Sequence, residues 1–145
     1  MNNKSHFRQL ENMYKAAPIN QIYKPEITVK SGEAQISMEV KEKFFHSAGA
    51  LHGSVYFKML DDAAFFAANS YEDKYFVLTA SFTTSLKRPV FKGKITAKGK
   101  VVSKDKSGFT TEAVLYDELN KEAGFGKGIF VTGKHLLEDS LGYKV

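Results

Sequence analysis

Between residues 47 and 69 almost every position is apolar or small: Val55, Tyr56, Phe57, Met59, Leu60 and the run from Ala63 to Ala68 cover nearly all directions of a 3.6-residue wheel. That pattern predicts a long helix buried on most of its sides. On either side of it the period changes to two. Residues 26–29 and 34–41 flank Ser31-Gly32 and predict a hairpin, with Ile36, Met38 and Val40 on one face. Residues 75–87 set Leu78, Ala80, Phe82 and Leu86 against Val77, Thr79, Ser81, Thr83 and Ser85, and the pattern stops before Pro89. Three more strands are predicted near 94–104, 109–117 and 123–132, separated by Gly- and Asn-containing turns. A first helix is predicted over 5–17, with Ser5 as N-cap, Phe7, Leu10, Met13 and Tyr14 at helical spacing, and Pro18 as its stop.

Two strands, one apolar helix and four strands make an α+β protein rather than a βαβ one. Its antiparallel sheet of five to six strands has to curl around the central helix to cover it. The 145 residues fit one domain, with a core at about 26–132, an N-terminal helical segment at 1–18 and a tail at 134–145. No apolar run approaches the length of a membrane span, and the first residues lack the apolar stretch of a signal peptide, so a soluble cytoplasmic protein is expected.

Two adjacent carboxylates, Asp61 and Asp62, interrupt the apolar helix. With Ser54, Lys58 and Asn69 they fall within a sector of roughly 100°, so a narrow wet stripe would explain them, and so would a task that repays desolvating a carboxylate. Lys58 and Asp62 form an i,i+4 pair, whereas Asp61 has Phe57 and Phe65 at those positions and should be the more reactive. At the start of the helix Gly53 offers a backbone N–H where the dipole favours an anion or a developing oxyanion.

The absence of cysteine removes thiolate nucleophiles and Cys-ligated metals, and the six-residue spacing of His46 and His52 matches no metal motif; no metal or cofactor is expected. The glycines at 124, 126 and 128 do not have phosphate-cradle spacing and suggest a bulge or turn. A net charge of +5 and the lysines between 87 and 106 suit an anionic partner. Yet Lys94, Lys98 and Lys100 alternate with Ile95, Ala97 and Gly99 as in a strand with one wet face, and nucleic acid is not the expected partner.

HGSVYFKMLDDAAFFAA, followed about ten residues later by VLTASFTTSLKRPVFKGKITAKGKVV, resembles the hotdog-fold acyl-CoA thioesterases of the PaaI (phenylacetate-degradation) type. The likeness runs over about residues 27–131. Its signature is His52-Gly53, an aspartate nine residues after the His (Asp61), and a strand ending at Arg88-Pro89. The resemblance implies that the Gly53 amide polarises a thioester carbonyl, Asp61 acts as nucleophile or general base, His52 orients the thioester end, and Thr79 positions water or the aspartate. Two positions depart from the family pattern: His46 stands where Asn is frequent, and Ser54 replaces a second glycine. His46 could take the Asn's role as a polar partner of the carbonyl or the attacking water. The substrate implied is an acyl- or arylacyl-CoA, whose phosphates would meet Lys87 and Arg88. A non-catalytic acyl-CoA-binding protein of the same fold is the alternative.

Geometry adds a constraint of its own. Gly53 and Asp61 are eight residues apart on one helix, roughly 12 Å at 1.5 Å per residue, so one carbonyl cannot touch both. A site that uses both groups must take them from two subunits whose helices run antiparallel. A homodimer with shared sites is expected, assembled further as a dimer of dimers.

Overall fold

The computed structural model describes residues 4–145. Its elements follow the order α1 (Lys4–Ala16), α2 (Asn20–Tyr23), β1 (Glu26–Lys30), β2 (Glu33–Glu39), α3 (Gly53–Asn69), β3 (Tyr75–Leu86), β4 (Lys94–Asp105), β5 (Gly108–Tyr116) and β6 (Glu122–Leu136). All six strands join one antiparallel sheet in the order β1-β2-β4-β5-β6-β3. This is the α+β architecture that the strand–helix–strand pattern requires. The sheet wraps around α3, in which Val55, Met59, Leu60 and Ala63 are essentially inaccessible to solvent. Among the described residues no helix is long and apolar enough to cross a membrane.

Small residues set how closely helix and sheet approach. Ala63, Ala64, Ala67 and Ala68 form much of the buried face of α3, and Gly99 of β4 lies directly beneath it. A Cβ at Gly99 would run into the helix backbone at the Ala63 carbonyl and the Ala64 nitrogen. Gly99→Ala is therefore expected to cost about 1–3 kcal/mol, the usual penalty of overpacking a core. A chemical denaturation curve whose midpoint matched wild type would contradict that.

Several local expectations change. Ser5 is not an N-cap: it lies inside α1 and its hydroxyl donates to Gln9. Asn69 is not part of a wet stripe. It is fully buried at the end of α3, where its amide nitrogen donates to the carbonyls of Glu72 and Tyr75 and its oxygen accepts from the Val77 N–H. The glycines at 124, 126 and 128 lie within β6 rather than in a turn, with a bulge at Ala123 beside the first of them, and the gap they leave is occupied by β3: a Cβ at Gly126 or Gly128 would strike the Phe82 ring. β6 continues to Leu136, past the strand end expected at 132, and the segment beyond it packs, with Leu137 buried and the Tyr143 hydroxyl on His6.

The largest departure concerns β3. Strict alternation fails because the register with β6 shifts between Thr79 and Ser81, leaving Ala80 as an extra residue. Val77, before the bulge, is buried, whereas Leu78 is exposed; beyond the bulge it is the even-numbered Phe82 that turns toward the core. The bulge thus allows Thr79 and Phe82, which straight pleating would set on opposite faces, both to face inward.

The basic strands are balanced across the sheet. Lys94 lies opposite Glu39, Lys100 sits between Glu33 and Glu112, and Lys127 pairs with Glu112, which leaves this outer face mixed in sign.

Candidate active site

The site begins where the chain enters α3. His52 is the N-cap in extended conformation, and its Nδ1 accepts from the Ser54 N–H at 3.0 Å, with the Ser54 hydroxyl 2.8 Å away. Ser54 thus fixes the His52 ring. Gly53 is the first helical residue and contributes, with His46, Leu86, Arg88 and Pro89, to a cavity of about 370 Å³. His52 does not share it; its ring lines a separate depression with Tyr23 and Phe44.

Backbone bonds from His46 to Ala50 and from Leu51 to Val90 brace the walls of the Gly53 cavity, and the Tyr56 hydroxyl donates to the Arg88 carbonyl at 2.8 Å. His46 Nδ1 accepts from the Ala48 N–H at 3.1 Å. A neutral ring so engaged carries its proton on Nε2, which makes His46 a hydrogen-bond donor. Of the two basic side chains considered for phosphates, Lys87 is already ion-paired with Glu122 and lies over the Phe125 ring, while Arg88 is exposed.

Two turns further along α3, Asp61 faces a second cavity of about 370 Å³, between α1, α3 and β3. Its Oδ1 accepts from the Thr79 hydroxyl at 3.0 Å, on the same face of β3 as the buried Val77. Burial, reinforced by the neighbouring Asp62 charge, raises the Asp61 pKa to about 6; the Thr79 hydrogen bond and the Lys58 charge oppose that rise. Apolar walls from Phe65, Phe66, Phe76 and Met13 supply the desolvation. Asp62 is held differently, because its Oδ2 accepts from both Lys58 Nζ and the Tyr14 hydroxyl, each at 2.7 Å. The expected i,i+4 pair forms, and it leaves Asp61 free of it.

The structure therefore brings Asp61 to Thr79, and Gly53 to His46 and Arg88, but keeps the two groups in separate cavities. Among the described residues no group of three His, Asp or Glu side chains is placed to hold a metal ion. Tyr14 was missed by the sequence reading, which took it as one more apolar position of α1. The available signal was its hydroxyl: a tyrosine on a buried stripe needs a hydrogen-bond partner, and two carboxylates were on offer.

A six-stranded antiparallel sheet wrapped around one central helix defines a hotdog fold. The chain belongs to the thioesterase superfamily, whose sequence profile matches residues 48–123, more than half of its length. Its structure is similar to that of the E. coli PaaI protein from the phenylacetic acid degradation operon, with a TM-score of 0.83 and 19% identity over 92% of this chain and 97% of that one. Thioesterase HI1161 from Haemophilus influenzae gives a TM-score of 0.75 at 19% identity, covering 85% of this chain and 87% of that one. In sequence, the chain is 27% identical over 114 residues to the candidate esterase SSO2140 of Saccharolobus solfataricus, covering 76% of this chain and 80% of that protein.

Proposed function

We propose that this chain is an acyl-CoA thioesterase whose active sites are shared between two copies. The observation that carries the proposal is Asp61: a half-buried carboxylate with raised proton affinity, held by a threonine at the mouth of an apolar cavity. In the proposed reaction the thioester oxygen lies against the Gly53 N–H of one subunit, with His46 Nε2–H as a second donor. Asp61 of the other subunit either takes a proton from a water that attacks the carbonyl carbon, or attacks it directly to give an acyl-aspartyl anhydride that water then hydrolyses at the acyl carbon, freeing the carboxylate. Charge develops on the carbonyl oxygen, the C–S bond breaks, and the CoA sulfur leaves as thiolate and is protonated; the acid carries the oxygen of water.

Pairing of two copies is supported by the free edge of β3 and by Phe57 and Leu78, large apolar side chains exposed beside Asp61. A two-fold axis there would set the α3 helices antiparallel and close the roughly 12 Å between the two catalytic groups.

Thiol release from a panel of acyl- and arylacyl-CoAs is the test, with sedimentation to read the assembly state. Turnover of at least one member is expected. Tight binding of acyl-CoAs with no thiol released from any of them would replace this reading with that of a binding protein. Because the reactive form of Asp61 is the carboxylate and its folded pKa is raised to about 6, turnover should fall as pH drops through about 6 and level off above 7. A rate constant across pH 5–7 would contradict the role given to Asp61.

A further inference from the structure

Lys58 stands three residues before Asp61 and four before Asp62, and either spacing lets a lysine reach a carboxylate on the same helix face. It is bound to Asp62 alone, at 2.7 Å, and its side chain is only 12% exposed. What selects between the two partners lies outside α3. The ammonium sits over the rings of Tyr14 and Tyr23, 5.3 and 5.2 Å from their centroids, and the Tyr14 hydroxyl donates to the same Asp62 oxygen. An aromatic face attracts a desolvated cation, so the two rings hold Lys58 on the Asp62 side.

We propose that Tyr14 is a positioning residue for the reaction: it confines Lys58 and Asp62 to one another, and thereby keeps Asp61 out of an ion pair that would quench it as nucleophile or base. This inference rests on the role proposed for Asp61. The N-terminal helix is then part of the site rather than an accessory to the fold. Its hydroxyl is suited to the task, since burial first, and the Asp62 charge second, raise the Tyr14 pKa well above that of an ordinary tyrosine and keep it a donor.

The charged and titratable groups around Asp61 are Lys58 and Asp62 on its own helix and Tyr14 on α1, while β3 adds the uncharged hydroxyl of Thr79. Their contributions have opposite signs, which gives the test its specificity. Tyr14→Leu removes both ring and hydroxyl and releases Lys58 toward Asp61, so Asp61 should titrate lower, by roughly half a pH unit or more. Tyr14→Phe keeps the ring beneath the ammonium and should shift it less in the same direction. Lys58→Met removes the cation and should shift it upward.

The measurement is the ¹³C chemical shift of the Asp61 carboxyl as a function of pH, with the pH–rate profile recorded beside it. The expected result is the same ordering in both: Lys58→Met above wild type, Tyr14→Phe below it and Tyr14→Leu lowest. An Asp61 titration unmoved in both Tyr14 variants would overturn the inference, whatever their stability. The NMR reading does not depend on turnover, so the two proposals fail separately. An active Asp61→Asn enzyme would defeat the catalytic assignment, whereas an inactive one with an unmoved titration in Tyr14→Leu would defeat the role of Tyr14 alone.

Discussion

Asp61→Asn should lower thioester turnover by about a hundredfold or more, the range expected for loss of a group that moves a proton or forms a bond in the transition state. The amide is nearly isosteric and can still accept from Thr79, so folding and the apolar cavity should persist and the loss should appear in kcat. Asp62→Asn is the contrasting case. Its carboxylate is occupied by Lys58 and Tyr14, and the amide retains an oxygen for either donor. Activity within about tenfold of wild type at pH 8 is expected, well short of the loss at Asp61. Equal loss in both variants, or loss in Asp62→Asn alone, would move the reactive carboxylate one residue along the helix.

The second large effect is expected at Gly53, from a substitution that seems drastic and is locally mild. Gly53 is the first residue of α3, and His52 before it has φ −63° and ψ 142°. Proline is well accepted at that helical position, and its preceding residue favours the backbone that His52 already adopts. The nearest obstacle to a Cβ is the end of the Leu86 side chain, at 3.2 Å. Gly53→Pro thus removes one N–H and little else. Loss of a single oxyanion donor costs about 10²–10³ in kcat, and a drop of that size with thermal stability close to wild type is expected. Mixing Gly53→Pro with Asp61→Asn chains should then restore activity, because one of the two sites in a mixed dimer receives both intact groups. Absence of recovery after verified subunit exchange would show that each chain works alone.

Much of this architecture could be read from patterning because burial in it is periodic. α3, the β1–β2 hairpin and the β4–β5 hairpin show their period directly, and their ends fall within a few residues of those expected. β3 could not be read this way: one extra residue, Ala80, reverses the parity of every position after it, and no composition signal announces a bulge. Asn69 was misplaced because a wheel shows direction and not depth; at the helix end its amide serves backbone groups of the following turn. The Lys58–Asp62 pair was legible because it is local. Tyr14 and Thr79 lie 48 and 18 residues from their aspartate partners, and such meetings depend on how α1 and β3 pack; Thr79 was named through the family resemblance and Tyr14 was not named at all. Lys87 was expected at the CoA phosphates, and its ion-pair partner Glu122, 35 residues away on a neighbouring strand, could not be read from the pattern.

The close seating of α3 on Gly99 makes this molecule unequally open to redesign. On its sheet side the helix meets backbone, so enlarging a residue there displaces the whole element, Asp61 with it. On the opposite side the cavity wall is formed by Met13 of the shorter helix α1 and by Ala17 and Ile19 in the segment that follows it, none of which belongs to the sheet. On the proposed function, changes of acyl preference should therefore be sought in α1 and the residues just after it: Ala17→Leu to shorten the cavity, Met13→Ala to lengthen it. The same ambition pursued through α3 would trade specificity for a damaged core.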